Sequence, residues 1–408
     1  MDWKAIREEF PITKRYIYLN TGAGGPMSRR AIDRVAQLEE IGLTEGLYTP
    51  PLSRIHHEVF HGGRERVAAL LGVDPAEVAF TASTTAGINL VAASLAWQPG
   101  DEVIVSDNEH PGGYLPFLNL KRLRGIEVRV VPLAPQKESF LRSIEGLLSP
   151  RTRLICLSHV AWCTGYRLPM AEVGELARSR GIYFCVDGAQ SAGQLPLNLR
   201  ELPCDFYALP GQKWLFGPVG TGALYVRRER LGELSLPLFS WQSATSFDFP
   251  AQTIVPARTA HLLEWATLSP SLFAGMGEAI GLIQEIGLAQ IQERIRSLAT
   301  WLVRSLADLP RVHLHSPLDE EDLPGSGLVT FSVEGLGGER VLAELLERDR
   351  IVIRTVPRPE TFRHSLEDST RPDWERVRVS VNFFNTEEEM ERLVEGVKRL
   401  AGLPSGSP

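Results

Sequence analysis

Between residues 75 and 230 the chain alternates short apolar runs with helical patterns of apolar and polar positions. The apolar runs are rich in Val, Ile, Phe, Tyr and Cys and are bounded by Gly, Pro, Asp or Ser, which is typical of buried strands. Helical patterns lie between many of them, as at 84–96 and 170–179. This alternation predicts an α/β domain with a mainly parallel sheet and helices on both faces. The predicted strands are residues 78–80, 102–106, 153–158, 182–186, 206–209 and 221–226.

After residue 270 the pattern changes. Apolar residues recur at near-helical spacing over 276–308, which predicts one long amphipathic helix. A smaller α+β unit follows, and its last helix opens with Thr386 and Glu389 at capping-box spacing. Its predicted strands are 327–333, 351–354 and 376–381, and its predicted helices are 337–348 and 387–400. We therefore expect an N-terminal arm at 1–30 near the small domain, a large domain at 31–270, connecting helices at 271–310 and a small domain at 311–408.

Composition narrows the class of protein. The chain has 408 residues, is 43% hydrophobic and carries a formal net charge of -7, which excludes a disordered chain, a fibre and a disulfide-framework peptide. The negative balance gives no general electrostatic reason to bind nucleic acid. The longest apolar stretch, 86–97, is about half of what a membrane span needs. The charged N-terminus lacks a secretory pattern, so we expect a cytoplasmic protein without membrane contact.

The cysteines and lysines indicate which kinds of reactive site the chain can contain. None of the four cysteines forms a CxxC pair, and two lie in apolar runs, so we expect buried thiols rather than a disulfide or a metal site. Only six of the 43 basic residues are lysines. Lys213 alone lies among Trp, Leu and Phe just after a predicted strand, where a lowered pKa would leave a neutral amine able to form a Schiff base. The alternative is a surface lysine with a buried stem.

Further polar residues follow the predicted strands, where α/β sheets bind their ligands. Thr84 and Thr85 open a helix whose N-terminus suits a phosphate, although a simple helix cap explains this segment as well. His110 is suited to stacking on a ring or to acid/base work, or it is an ordinary loop residue. Asp187 ends a buried strand and needs a cation such as a pyridinium nitrogen, unless it caps a helix. With Lys213, these groups together match the needs of pyridoxal 5'-phosphate (PLP).

The chain also resembles the class V aminotransferase family of fold type I PLP enzymes over residues 10–400. The motifs that carry the resemblance are FTASTTAGINLVA, DNEHPGG, SHVAWCTG, VDGAQSAG, GQKWLFGPVGTGALYV and RVSVNFFNTEEE. The family includes cysteine desulfurases, isopenicillin N epimerase and cysteine/cystine C-S lyases, and the lyases are the best match by motif. The resemblance implies a mainly parallel seven-stranded sheet between helices, a small C-terminal α+β domain, and a homodimer with active sites at the interface.

The resemblance also implies roles for individual residues. Lys213 would form the Schiff base and, with His110 stacked on the ring, carry catalysis. Cofactor contacts would come from Thr84, Thr85, His110, Asp187 (ring nitrogen), Gln190 (phenolic oxygen), Gln212 and Lys213, and substrate carboxylate contacts from Arg378 and Arg354. In the dimer, Thr267 or Ser269 would reach the neighbour's phosphate.

The chain departs from the family pattern at three positions. Pro210 stands where Ser or Thr is usual and cannot donate to a phosphate. Gln212 stands where His is usual and cannot titrate. Trp162 stands roughly where the family has a cofactor-side Asn, a feature shared with the C-S lyases.

Several reactions remain open at this stage. A desulfurase needs a nucleophilic cysteine in the small domain, and no cysteine follows Cys204. We therefore expect β-elimination on a cysteine- or cystine-like amino acid, with epimerisation or transamination as alternatives. A catalytically silent PLP-fold protein is another alternative, motivated by Pro210 and Gln212. A Rossmann dehydrogenase is excluded, because no GxGxxG follows the first strand. Loops 240–249 and 357–368 are the expected specificity loops.

Overall fold

The computed structural model describes residues 1–46, 48–134, 136–236, 238–265, 267–318, 324–358 and 375–403. The α-helices are α1 Trp3–Arg7, α2 Arg29–Glu45, α3 Pro50–Leu71, α4 Thr84–Ser94, α5 Pro111–Arg124, α6 Lys137–Leu147, α7 Met170–Ser179, α8 Pro270–Ile286, α9 Leu288–Ala307, α10 Gly338–Asp349 and α11 Glu387–Leu400. The strands are β1 Ile17–Tyr18, β2 Val78–Thr81, β3 Glu102–Ser106, β4 Glu127–Val131, β5 Thr152–Ser158, β6 Tyr183–Asp187, β7 Phe206–Pro210, β8 Gly222–Val226, β9 Ala244–Asp248, β10 Thr253–Pro256, β11 Val312–Leu314, β12 Leu328–Val333, β13 Ile351–Val352, β14 Arg354–Val356 and β15 Arg376–Ser380.

The chain forms two compact units. The large unit consists of Met27–His159 and Pro169–Glu285, and the small unit consists of Met1–Pro26, Val160–Leu168 and Ile286–Pro408. The domain boundaries drawn from the sequence remain a prediction.

The large unit is built on a sheet of seven described strands in the order β2-β8-β7-β6-β5-β3-β4. Strand β8 runs antiparallel to both of its neighbours, and the remaining pairs are parallel. The central strands β5 to β8 are almost entirely buried, which explains why their sequences are continuous apolar runs. Ile88 and Val91 of α4 and Phe117 of α5 pack into the same core cluster as strand residues such as Val105. The expected α/β fold with a mainly parallel sheet is confirmed.

The small unit contains an antiparallel sheet in the order β11-β12-β15-β14 and a separate parallel pair, β1-β13. Its core combines residues of α9, α10 and α11 with those of the sheet, for example Leu298, Leu345, Leu393, Phe331 and Val379. The segment 351–354, predicted as one strand, is split: β13 pairs with β1, and β14 pairs with β15. The prediction of the strand's existence was correct, but the change of partner at Ile353 could not be read from its composition.

One helix prediction was wrong in its length. Residues 276–308 belong to two helices, α8 and α9, separated by Gly287 at φ +88°. That backbone angle is accessible to glycine and interrupts a right-handed helix. Among the described residues no single helix is long and apolar enough to cross a membrane, and α8 and α9 reach that length and composition only when taken together across their break.

All four cysteines are buried thiols outside any disulfide, as predicted. No group of three or more His, Cys, Asp or Glu side chains within the described ranges is suited to hold a metal ion.

Candidate active site

The carboxyl ends of six described strands lie at one edge of the large unit's sheet. Strands β2 to β7 run in the same direction, because β8 is antiparallel to both β2 and β7 and the other pairs are parallel. Their carboxyl ends therefore share one edge, which is where open α/β sheets bind ligands. The sequence-predicted residues at or after these ends are Thr84, Thr85, His110, Asp187, Gln190, Gln212 and Lys213.

The segment after β2 turns directly into α4. Ser83 caps this helix by accepting a hydrogen bond from the backbone N–H of Ala86 at 3.1 Å. The helix cap considered for this segment is therefore Ser83, and Thr84 is not needed for it. The Oγ1 atom of Thr84 is buried and has no hydrogen-bond partner among the described residues. A buried hydroxyl at a helix N-terminus, with the positive end of the helix dipole, suits an anion.

His110 lies at the N-terminus of α5. Its Nδ1 atom accepts a hydrogen bond from the backbone N–H of Gly112 at 3.0 Å, so a neutral ring carries its proton on Nε2. A Cβ atom on Gly112 would lie 2.2 Å from Oγ1 of Thr85 and 3.2 Å from Nδ1 of His110. The structure therefore brings Thr85 and His110 together on either side of a position where only glycine fits.

Asp187 ends β6 and is 4% exposed. Its Oδ1 atom accepts a hydrogen bond from the backbone N–H of Ala189 at 2.8 Å. Burial raises the pKa of this carboxyl, and the nearby ammonium of Lys213 lowers it. The Oδ2 atom would lie 3.5 Å from a Cβ atom at Gly113 of α5, so this glycine is next to the carboxyl group. A buried carboxylate in this setting is stabilised by a cation.

Backbone hydrogen bonds and close packing fix the conformation of the loop that carries Lys213. The Gly217 N–H donates to the carbonyl of Gly211 at 2.8 Å, and the Phe216 N–H donates to that of Lys213 at 3.2 Å. A Cβ on Gly211 would lie 2.0 Å from Oγ1 of Thr221, so this position requires glycine. Phe216 has a φ of 60°, an uncommon conformation for a residue with a Cβ, and such strain is concentrated at functional sites.

Two glutamines lie beside this loop. The Oε1 atom of Gln190 accepts a hydrogen bond from Nε1 of Trp214 at 2.9 Å, which orients the amide so that its NH₂ group points away from the indole. Such a donor suits a phenolate oxygen. The Oε1 atom of Gln212 is buried without a hydrogen-bond partner in the described part of the chain. Pro210, the last residue of β7, pairs with Gly222 in the sheet.

Sequence reasoning missed Glu109, which is 7% exposed. It accepts hydrogen bonds from the hydroxyl of Ser106 at 2.6 Å, and from the hydroxyl and the backbone N–H of Ser158 at 2.5 and 3.0 Å. Burial and the charge of Asp187 raise its pKa to about 7, although hydrogen bonds from the two serines act in the opposite direction. The available signal was a glutamate at a strand end immediately before the expected stacking histidine.

The two predicted substrate-binding arginines lie in the small unit, on neighbouring strands. Arg378 of β15 and Arg354 of β14 are directly opposite each other in an antiparallel pair. Like charges in this arrangement repel. Arg378 is 1% exposed, and its Nη1 donates to the carbonyl of Trp162 at 2.7 Å. Its Nε and Nη2 atoms have no hydrogen-bond partner among the described residues. Burial and the charge of Arg354 lower the pKa of Arg378 to about 9, so the pair suits an anion such as a carboxylate.

The large-unit residues fit PLP by their chemistry. The unpartnered hydroxyl of Thr84 at a helix N-terminus suits the phosphate, and the buried carboxylate of Asp187 suits a protonated ring nitrogen. The amide of Gln190 is oriented as a donor, and Lys213 is close enough to Asp187 to lower its pKa.

Comparisons with known proteins agree with this fit. The family described as "Aminotransferase class-V" matches residues 29–393. Isopenicillin N epimerase of Streptomyces clavuligerus is 33% identical, with 98% of this chain and 99% of that protein covered. A cysteine desulfurase of Serratia proteamaculans is 29% identical, with 98% of each chain covered.

Two solved structures of one further protein, C-DES, are similar along the whole chain. One is a lysine-to-alanine mutant of C-DES with glycine covalently linked to the PLP cofactor; its TM-score is 0.86 at 29% identity, with 98% of this chain and 99% of that chain covered. The other holds the cystine C-S lyase C-DES with its reaction product cysteine persulfide; its TM-score is 0.85 at 29% identity, with 97% and 99% covered. The chain therefore belongs to the class-V aminotransferase family and is a PLP-dependent enzyme.

Proposed function

We propose that this enzyme cleaves the C–S bond of a cysteine- or cystine-like amino acid by β-elimination. The observation that carries the proposal is the set of groups at the sheet edge. Lys213 is the amine that we place there, and the residue before it, Gln212, cannot titrate. One base is sufficient for an elimination, because the reaction needs only the removal of the Cα proton before the C–S bond breaks.

The chain's own residues have distinct tasks in this proposal. Thr84 and Thr85 hold the phosphate at the N-terminus of α4, and Asp187 holds the ring nitrogen. His110 stacks on the ring, and its Nδ1 is fixed by Gly112. Arg378 and Arg354 bind the substrate carboxylate. When bound, PLP supplies an electron sink for negative charge at the carbon next to the amino group.

The proton and electron steps follow from these positions. The Nζ atom of Lys213 takes the proton from Cα, and the C–S bond at Cβ then breaks, with the electron pair leaving on sulfur. With cystine as substrate, the sulfur leaves as cysteine persulfide. The remaining three-carbon fragment reacts with water and yields pyruvate and ammonia.

Two features support a lyase over a desulfurase. The desulfurase reaction needs a cysteine nucleophile in the small domain, and the sequence has none after Cys204. The relative C-DES is described as a cystine C-S lyase with cysteine persulfide as its product, and it covers almost the whole chain.

Epimerisation is the second candidate, favoured by the 33% identity to an isopenicillin N epimerase. An epimerase must deliver a proton to the face of Cα opposite the one from which it was taken. Besides Lys213, His110 is the titratable side chain that we place near the ring for that purpose. Its ring carries a proton on Nε2 when neutral, so it has a proton to give.

Product analysis separates the two reactions. The holoenzyme is incubated with L-cystine, and pyruvate, ammonia and persulfide are quantified; equal amounts of the three support elimination. Exchange of the Cα hydrogen with solvent deuterium and appearance of the D-enantiomer, without pyruvate, support epimerisation. Pyruvate formation that is equally fast in Lys213→Ala would overturn the assignment of Lys213.

We further propose that the protein is a homodimer. Strands β9 and β10 form a hairpin whose residues are almost all exposed, including Phe247 at 55%, Ile254 at 55% and Val255 at 51%. An isolated hairpin with exposed apolar residues is a favoured protein contact, and a second copy would cover it. We also propose a cytoplasmic location, supported by four cysteines that remain thiols rather than disulfides.

A further inference from the structure

Glu109 lies close to Asp187 and has no part in the chemistry proposed above. A Cβ on Gly113 would lie 3.5 Å from Oδ2 of Asp187 and 3.6 Å from Oε2 of Glu109. The two carboxyl oxygens are thus separated by at most the sum of these distances, with no side chain of Gly113 between them. Both carboxyl groups are over nine-tenths buried.

The hydrogen bonds of Glu109 hold it in place. Ser106 at the end of β3 and Ser158 at the end of β5 donate to both of its oxygens. These donors stabilise the carboxylate form, whereas burial and Asp187 favour the neutral form. The opposing effects leave its pKa at about 7, so its charge changes near neutral pH.

Three other titratable groups lie around Glu109 and Asp187. Cys156 on β5 is hydrogen-bonded to Cys185 on β6, and this bond, together with burial, raises the pKa of its thiol well above the usual value. Lys213 acts on Asp187 from the loop after β7 and lowers the pKa of that carboxyl. His110 follows Glu109 in sequence, and its Nδ1 accepts a hydrogen bond from Gly112. Because Glu109→Gln leaves these three groups in place, it isolates the charge of Glu109.

We propose that Glu109 is a positioning residue that controls, through Asp187, how strongly the site holds the protonated ring nitrogen of its cofactor. An ionised Glu109 adds a second negative charge close to Asp187 and favours a protonated ring. When Glu109 is neutral, Asp187 is the one carboxylate of the two that stabilises the protonated ring nitrogen. This inference rests on the assignment of Asp187 in the proposed function.

The test compares two ligands that differ only in the ring nitrogen. The apoenzyme is titrated with PLP and with its deaza analogue, in which a C–H group replaces that nitrogen, at about pH 6 and about pH 8, on either side of the pKa of Glu109. In the wild type the preference for PLP should rise roughly tenfold between the two pH values, since one pKa unit of interaction is a factor of ten. In Glu109→Gln the preference should match the wild type at the lower pH and should not rise.

The controls separate this role from a structural one. Glu102→Gln removes a buried carboxyl at the start of β3, the strand that precedes Glu109, where Arg129, Ser149 and Thr152 surround it, and should keep the wild-type response. A Glu109→Gln variant that loses affinity for both ligands equally, at both pH values, would overturn the inference, because a packing defect does not distinguish the ligands.

Asp187→Asn identifies which of the two ideas fails. This variant should lose the preference for PLP at both pH values. If it does, and Glu109→Gln still shows the wild-type rise, the inference about Glu109 alone is wrong. If Asp187→Asn keeps the preference, the assignment of Asp187 in the proposed function is wrong, and the inference falls with it.

Discussion

Arg378 is a buried cation whose presence is unfavourable until an anion arrives. Its side chain is 1% exposed, Arg354 faces it from the next strand, and two of its nitrogens have no partner among the described residues. We therefore predict opposite effects of Arg378→Met on substrate binding and on stability. The substitution replaces a guanidinium by an apolar side chain of comparable length.

The magnitudes follow from the environment of Arg378. Loss of a bidentate, charge-assisted contact with the substrate carboxylate should cost about 2–4 kcal/mol, which corresponds to a KM roughly 30- to 1000-fold higher. The free energy of unfolding should stay constant or rise by about 1–3 kcal/mol, because a buried charge without a counterion is replaced by an apolar group. The lost hydrogen bond to the Trp162 carbonyl reduces that gain.

The pH dependence of the free energy of unfolding also reports on the buried charge of Arg378. Burial lowers the pKa of Arg378 to about 9 in the folded protein, well below its ordinary value, so the unfolded chain binds the proton more tightly. The stability linked to this group is therefore lowest below about pH 9 and increases as the pH rises above that value. The Met variant should lack this increase.

Steady-state kinetics and denaturant unfolding of the same preparations measure both quantities. Arg296→Met on the exposed face of α9 is the control, with KM and stability close to the wild type. Arg378→Lys keeps the positive charge but loses the planar guanidinium that donates two parallel hydrogen bonds to a carboxylate. Its KM should therefore lie between those of the wild type and Arg378→Met. An unchanged KM in Arg378→Met would refute the carboxylate role, and a stability loss of several kcal/mol would refute the account of an unpaired buried charge.

Further measurements address the rest of the molecule. Lys213→Ala should lose turnover and should no longer retain PLP after borohydride reduction and denaturation, as judged by mass spectrometry, whereas Lys121→Ala should behave as the wild type. Gly211→Ala should weaken PLP binding and cost about 1–3 kcal/mol in stability, because its Cβ would meet Oγ1 of Thr221 at 2.0 Å; a Thr221→Ala change in the same chain should restore part of the loss. Glu264→Gln should lower the free energy of unfolding by about 3–5 kcal/mol, since it breaks a buried ion pair, and a loss below about 1 kcal/mol would contradict this. Light scattering should give twice the chain mass, and a monomer would contradict the proposed dimer.

The strands of the large unit could be read from sequence where burial is complete. Strands β5 and β7, for example, are continuous apolar runs because both faces of the sheet are covered. Strand β4, Glu127–Val131, was missed because it lies at the edge of the sheet and most of its residues are exposed. The available signal was the alternation of polar residues and valines over 127–131, which is typical of a strand with exposed positions.

The position of a candidate site residue can be predicted from sequence where it depends on the local segment, but not its environment where that depends on distant partners. Lys213 and Asp187 follow strands directly, so topology alone places them at one edge. The burial and charge of Glu109 depend on Ser158, 49 residues further along the chain. The like-charged pair of Arg354 and Arg378 depends on strand register, which composition does not determine.

The small unit joins the two ends of the chain. Ile17 pairs with Ile351, Asn20 forms a bridge with Ser380, and Arg7 donates to the carbonyl of Phe384. During synthesis on the ribosome, the first 26 residues thus emerge more than 300 residues before their partners do. The sheet of the large unit, by contrast, is complete once β8 has emerged. Translation therefore sets an order of assembly. Residues 17–20 are synthesised early but can pair with β13 and β15 only after those strands have been synthesised. Until then their unpaired backbone groups are exposed to non-native contacts.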